Sequence, residues 1–294
     1  MSRSPEFVTA CIPTFKCTKY LRQSVISLLS QTYPYLRIIV INDGDPEPPW
    51  HSLADISDPR LIRFDLSENR GPYFALAVAL EATPDRLLLV QDADDWSAPH
   101  RVATLMQIMR RDASQYAFST QAQFSDHPSG GIIFHEPMFP TGPDTTVRSR
   151  LKYRMPHQGL FRTEALRRLG GYYGGFKFNY DTLLTSLFLL AGRVSWSSDH
   201  LYWRRLRPTS LFHAPDTGWR SLARQQMHAE MAEFYRHAYR DYQNFVMRRV
   251  SGPQFLRLIQ WRVGYRRGAI ADQQIKHYAA YLRNALGRQA GLLQ

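Results

Sequence analysis

The chain has 294 residues, 44% of them apolar, and 37 Lys plus Arg against 25 Asp plus Glu give a net charge of +12. That is length enough for one large α/β domain with an appendage and a sizeable core. No apolar run approaches the roughly 18 residues that span a bilayer, and two cysteines, Cys11 and Cys17, are too few for a disulfide framework. The N-terminal MSRSPEF lacks the apolar core of a signal peptide, so the expected setting is a reduced cytoplasm. A basic balance with pI near 9.9 admits nucleic acid, an anionic membrane face or anionic substrates as partners without choosing among them.

In chain order, residues 7–12 (FVTACI) form a strand candidate that ends at Pro13-Thr14. Residues 19–31 have helical spacing, with Leu21, Val25, Leu28 and Leu29 along one side. Residues 36–41 (LRIIVI) are a near-continuous apolar run, as expected of a central parallel strand. That run ends in Asn42-Asp43-Gly44-Asp45. Residues 61–64 are a third strand, and Asn69-Arg70-Gly71-Pro72 leads into a helix through Ala75, Val78, Ala79 and Leu80. A fourth strand, Leu87–Val90, stops in three carboxylates, Asp92, Asp94 and Asp95, followed by Trp96 and Pro99. This βαβ alternation predicts a doubly wound sheet. Polar residues converge at the carboxyl ends of several strands, where open α/β folds bind ligands. Closely packed carboxylates repel one another, and a solvated turn or a hard divalent cation with oxygen ligands relieves that repulsion.

These stretches resemble the glycosyltransferases of family 2, with the GT-A fold. The resemblance rests on residues 12–45, 69–80, 88–101 (LLVQDADDWSAPHR) and 157–173 (HQGLFRTEALRRLGGYY), with NYDTLL at 179–184 and RRLRPTSL at 204–211. It spans roughly residues 7–212 in order, and nothing after about residue 215 adds to it. It implies an α/β GT-A (Rossmann-like) fold, its sheet mostly parallel and flanked by helices, with a C-terminal helical extension. The expected boundaries are a GT-A domain at 1–215 and a basic amphipathic extension at 216–294.

The resemblance also assigns roles. Pro13 and Thr14 line the base pocket, and Asp43 accepts N3–H of a uracil-like base, as an acceptor-only carboxylate can. Asp92 and Asp94 form a DxD pair for Mg²⁺ or Mn²⁺. Asp94 is then the direct ligand, while Asp92 also lies near the ribose or an outer-shell water. Asp95 suits equally a cap for the helix that begins near Pro99, and no direct ligand role is assigned to it. Asp181 aligns with the family's general base, although Tyr180 stands where relatives show Glu. The alternative for Asp181 is a helix N-cap. Phe74 and Leu76 replace a common Arg-Asn pair, so Tyr73 is expected near the sugar. His157 is expected by the donor or acceptor sugar. Arg207 stands where a His is frequent; with Arg205 and Ser210 it is expected to clamp diphosphate oxygens, for which guanidinium forks suit.

Between 112 and 150 the sequence reads as strands with long loops on the acceptor side, around apolar stretches 116–119 and 132–134. The helix at 163–169 is ended by Gly170-Gly171. Segment 216–294 has 13 Arg plus Lys and 5 Asp plus Glu, so 13 − 5 = +8 of the net charge lies there. Met227, Met231, Phe234 and Ala238, and again Tyr278, Tyr281, Leu282 and Ala285, fall at helical spacing. These amphipathic helices predict packing on the catalytic domain or homodimerisation. Contact with an anionic membrane through Arg248, Arg249, Arg257, Trp261, Arg262, Arg266 and Arg267 comes second, and no nucleic-acid motif is present.

The sequence thus predicts an enzyme that moves a sugar from a UDP- or dTDP-linked donor to an unidentified acceptor hydroxyl or amine by metal-assisted, inverting displacement. Its rival is a non-catalytic GT-A-like scaffold with a basic helical tail. A scaffold has no physical need for Asp43, Asp92, Asp94 and Asp181 together. A nucleotidyltransferase would carry a Gly-rich, basic loop after the first strand, and Thr14-Phe15-Lys16-Cys17 is not one.

Overall fold

The computed structural model describes residues 5–137, 142–143, 148–153, 155–211, 214–218 and 220–290. The strands are β1 (Val8–Thr14), β2 (Leu36–Asn42), β3 (Leu61–Asp65), β4 (Leu87–Val90), β5 (Trp96–Ser97), β6 (Tyr116–Asp126), β7 (Ile132–His135), β8 (Leu160–Arg162) and β9 (Val194–Arg205). They form one sheet in the order β3-β2-β1-β4-β8-β6-β9-β5, with β7 on β6. The pairs β3–β2, β2–β1 and β1–β4 are parallel, so β1, β2 and β4 deliver their carboxyl ends to one edge. Beyond β4 the sheet is mixed: β8 runs antiparallel to β4 and β6, and β9 runs parallel to β6.

Side chains along a strand alternate between faces, and here the two faces feed different cores. Ala10, Ile12, Ile38 and Val40 pack with Leu21, Val25 and Leu28 of α1 (Thr18–Leu29) and with Val102 and Leu105 of α3 (Arg101–Arg111). Cys11, Ile39 and Ile41 pack on the other side with α2 (Pro72–Ala82) and α5 (Tyr180–Ala191). Between them in sequence lies the short α4 (Thr163–Arg168). In α2 every residue from Tyr73 to Leu80 is buried, and in α5 every residue from Thr182 to Leu190. Helices apolar all round require cover on both sides.

The C-terminal segment supplies that cover. It folds as α6 (Leu222–Val246), α7 (Gly252–Arg267) and α8 (Ala269–Ala290). α8 packs on α2, α6 on α5, and α7 on α4. Met231, Tyr235, Ala238, Phe255, Ile259, Val263, Ile275 and Leu282 share one core with α2 and α5. Met227, Phe234, Tyr278 and Ala285 flank it. Tyr281 departs from the expected stripe: it is 59% exposed, on the outward side of α8. Gly170 marks the junction, with φ +95° and a Cβ position only 2.5 Å from Val263 Cβ, so that only glycine fits there.

Several boundaries differ from the sequence reading. β1 runs two residues past 12 and takes in Pro13 and Thr14, because the β2 ladder continues to Asn42. β9 was not anticipated, since its sequence VSWSSDHLYWRR lacks an apolar run. Asp95 does not cap α3, whose N-cap is His100. The expected acceptor loops at 112–150 become β6 and β7 in part; residues 138–141 and 144–147 lie outside the described residues. Because the extension shares its core with α2 and α5, Ile259→Ala is expected to cost about 2–5 kcal/mol. The loss should appear as a lower urea midpoint of one transition, not as a separate early transition of the C-terminal helices.

Candidate active site

The base of the site is the turn after β2. Asn42 Oδ1 accepts from the Asp45 backbone N–H at 3.0 Å, and Asp43 N–H donates to the Thr14 carbonyl at 2.8 Å. Gly44 has φ +69°, and a Cβ there would lie 2.2 Å from the Glu68 carbonyl carbon, so the turn admits only glycine. The Asp43 carboxylate accepts from the backbone N–H of Arg70 (2.9 Å) and Gly71 (2.8 Å) and from Asn69 Nδ2 (3.1 Å). Three of about four acceptor positions are thereby filled. Burial outweighs these hydrogen bonds and raises the Asp43 carboxyl to about 6. Beside it, Thr14 is 2% exposed and its Oγ1 has no partner. A buried hydroxyl left unpaired at a strand end is a polar group in want of a ligand. Pro13, also buried, lies one residue before it in β1.

The acidic cluster follows β4. Asp92 is half-buried; its Oδ2 accepts from Gln158 Nε2 at 2.5 Å, and Gln158 Oε1 accepts from Gln121 at 2.9 Å. Burial raises its carboxyl, with His157 opposing and Asp94 adding to the rise. Asp94 is ion-paired with Arg207, Nε to Oδ2 at 2.5 Å. Asp95 is buried; it accepts the Arg205 backbone N–H at 2.7 Å, and burial with the charges of Asp94 and Asp92 holds its carboxyl well above the usual range. Asp95 is therefore a strut between β4 and β9.

The expected diphosphate clamp divides. Arg205 is 7% exposed and fully engaged, donating to Asp126, to the Asp94 carbonyl at 3.0 Å and to Gln23 Oε1 at 2.6 Å. Its guanidinium also stacks over Tyr20 and Phe124. The clamp expected of Arg205 is corrected accordingly: it braces the site from behind. Arg207 faces the cluster, and Ser210 closes the turn after it, its N–H donating to the Arg207 carbonyl at 3.2 Å.

On the opposite wall the N-termini of α2 and α5 meet. Tyr73 Oη donates to Asp181 Oδ1 at 2.8 Å. Asp181 lies in the first turn of α5, whose N-cap is Asn179, so it is not the capping residue. His157 is 7% exposed, its Nδ1 within 2.9 Å of Tyr172 Oη and its ring edge-on to Tyr73. Sequence reasoning gave no role to Gln158, Gln121, Asn69 or Arg224. Gln158 and Asn69 stand inside resembling stretches, whereas nothing in the sequence marks Gln121 or Arg224.

The carboxylates after β4 bear on whether a resident cation fits here. Among the described residues no group of three or more His, Cys, Asp or Glu is arranged around a common metal position. Asp92 and Asp94 each have one carboxylate oxygen engaged by a protein donor. The remaining carboxylate oxygens of Asp92 and Asp94 are hard donors of the kind that suit a cation such as Mg²⁺ or Mn²⁺, which takes its other ligands from water and phosphate.

The model of the glycosyl transferase family 2 matches residues 9–170, more than half of the chain. The chain belongs to that family. Among curated family relatives, the UDP-Glc:alpha-D-GlcNAc-diphosphoundecaprenol beta-1,3-glucosyltransferase WfaP of Escherichia coli is 24% identical over 50% of this chain and 57% of its own length. Glycosyltransferase GlyG of Streptococcus pneumoniae is 21% identical over 73% of this chain and 76% of its own. Among solved structures, S. aureus TarS in complex with UDP aligns at TM-score 0.56 and 20% identity, over 83% of this chain and 75% of that one. The mannosyltransferase PcManGT from Pyrobaculum calidifontis, in complex with GDP-Man and Mn2+, aligns at TM-score 0.54 and 16% identity, over 99% and 80%. These likenesses establish the α/β GT-A fold with its C-terminal helical region.

The raised Asp43 carboxyl carries a stability signature. Its folded value, about 6, exceeds the ordinary 3.8. The native state therefore binds the proton more readily, and this contribution to stability is full below pH ~4 and lost as pH rises through ~6. Asp92 and Asp95 act in the same direction. Unfolding free energy is expected to fall by about 1–3 kcal/mol from pH 4 to 7. Urea titrations should show a shallower fall for Asp43→Asn; an equal slope would remove the assignment.

Proposed function

We propose that this chain is an inverting glycosyltransferase that draws a sugar from a UDP- or dTDP-linked donor. The single observation that carries the reading is the convergence of Thr14, Asp43, Asp92, Asp94 and Asp181 from four elements on one sheet edge, with the Thr14 hydroxyl unpaired. Solved neighbours, S. aureus TarS in complex with UDP and with UDP-GlcNAc, support a uridine donor.

In this reading Asp43 accepts the base N3–H through its one remaining acceptor position, and Pro13 and Thr14 line the pocket. Asp92 and Asp94 would hold a divalent cation. When bound, that cation would neutralise charge on the departing nucleotide diphosphate. Arg207 and Ser210 meet the diphosphate oxygens from the β9 side. Asp181 takes the proton of an acceptor hydroxyl or amine while that atom bonds to the anomeric carbon. The bond from that carbon to the diphosphate oxygen breaks with its electron pair leaving on the diphosphate, and one displacement inverts the centre. His157 and Tyr73 border the sugar. Residues 1–215 carry the donor site, and 216–294 brace it. The extension also presents exposed Trp261 and Tyr265 beside Arg257, which supports contact with an anionic membrane face.

Calorimetric titration with UDP and dTDP, each with Mn²⁺ or with EDTA, is expected to give binding that EDTA removes and that Asp94→Ala abolishes. No binding of either nucleotide under any condition would favour the scaffold reading. Asp181→Asn is expected to keep donor binding and to lower transfer by about 10²–10⁴-fold. Unchanged transfer would end its assignment as base.

A further inference from the structure

We propose that Tyr73 and Arg224 are positioning residues for Asp181, so that the C-terminal extension completes the active site. The inference rests on the reading of Asp181 as the base. A carboxylate has two oxygens, and a base works best when one of them is fixed and the other faces the proton it takes. Tyr73 Oη donates to Asp181 Oδ1 at 2.8 Å, which leaves Oδ2 for the acceptor. The tyrosine ring has little freedom to swing away. It is 9% exposed and held edge-on between Tyr180 (5.9 Å) and His157 (6.1 Å). Burial, and then the Asp181 charge, push the phenol ionisation well above its ordinary value. The hydroxyl is thereby kept protonated, as a donor, at neutral pH.

Arg224 holds the backbone that carries Asp181. It lies in the first turn of α6, past the residues that the family model matches, and is 8% exposed. Its Nη1 donates to Asn179 Oδ1, its Nε to the Thr217 carbonyl at 2.6 Å and its Nη2 to the Leu211 carbonyl at 2.8 Å. Asn179 sits at φ 56°, the left-handed region, two residues before Asp181, and its side chain caps nothing in α5. Such a conformation costs energy and persists where its surroundings hold it; here the holder is a guanidinium from the extension. The same positive charge faces Tyr73 and Asp181. Leu211 and Thr217, which follow the donor-side Arg207 in sequence, are both tied to the same guanidinium through their carbonyls. One residue thus joins the donor side of the cleft to the base.

The test uses the full chain with UDP-glucose and dTDP-glucose as probes, release of the nucleoside diphosphate to water as the rate, and calorimetry for UDP. Tyr73→Phe is expected to lower kcat by about 10–100-fold, the worth of a hydrogen bond to a charged group, with KM and UDP affinity within about twofold. Arg224→Gln should lower kcat in the same way, and Arg224→Lys should recover part of the loss. Hydrogen exchange read by mass spectrometry adds a measure that needs no turnover. Arg224→Gln should speed exchange at 179–184 and leave 185–191 unchanged. Wild-type kcat in Tyr73→Phe, or unchanged exchange at 179–184 in Arg224→Gln, overturns the proposal. Wild-type turnover in Asp181→Asn would mean that the base reading itself has failed. Loss of turnover in Asp181→Asn with wild-type kcat in Tyr73→Phe would mean that only the positioning role has.

Discussion

Three carboxylates within four residues, desolvated at the end of a buried strand, are the constraint to which the distal half of the sheet answers. Each is met differently. Asp95 takes a backbone N–H of β9, Asp94 the guanidinium of Arg207, and Asp92 the amide of Gln158. Two of these partners sit at the end of β9, more than a hundred residues along the chain. The cluster therefore fixes where β9 must finish. β5, only two residues long, pairs with β9 where this happens, and Arg205 closes the back by binding Asp126, Gln23 and the Asp94 carbonyl. A buried ion pair is weak evidence for stability, because desolvation offsets most of the Coulomb gain. An arrangement of this kind is better explained by what it holds ready: an acidic edge whose charge is only partly met by protein groups.

A second dependence runs through the helices that border the cleft. α2 and α5 each begin at the site, with Tyr73 and Asp181 in their first turns, and each is buried on nearly every side. The sheet covers one flank, and α8 and α6 cover the other. A polar outer face would have let both helices stand in water, and the extension would then be dispensable to their placement. As built, the position of Asp181 depends on the packing of α6 against α5, and the position of Tyr73 on α8 against α2. Aromatic contacts express this coupling: Phe74 meets Tyr278 at 6.2 Å, and Phe176 meets Phe234 at 6.3 Å.

The parallel strands were legible because burial on both faces forces near-continuous apolar runs, and the polar residue that ends each run marks the ligand edge. Thr14, Asp43 and Asp92 could be placed on that edge from pattern alone. β9 was not legible, since VSWSSDHLYWRR is partly exposed and alternates irregularly, and its register shifts midway through its pairing with β6. The split between Arg205 and Arg207 escaped the sequence for a related reason. Two arginines two positions apart read alike, yet β9 ends at Arg205, which stays in the brace, and the chain beyond the strand carries Arg207 to Asp94. Helical spacing placed Leu282 correctly but not Tyr281, because adjacent residues of a helix differ by about 100° in direction. Contacts such as Tyr73 to Asp181, 108 residues apart, have no local signature.

The net charge of +12 does not resolve the electrostatics of the site. Much of that charge lies on the extension, where Arg248 and Arg249 follow the end of α6, a helix of 25 residues that spans about 37 Å. At physiological ionic strength exposed charges are screened beyond about 8 Å, so arginines at the far end of that helix cannot neutralise the carboxylates after β4. Arg224, at the near end and buried, is spared this screening, and so is Arg207, packed against Asp94. The local balance is therefore set by a few partly buried cations, Arg207 first among them. An anionic diphosphate that reaches this edge meets residual negative charge from Asp92 and Asp94 unless a cation accompanies it or Arg207 turns toward it. The distant arginines act instead on whatever surface the outer helices face.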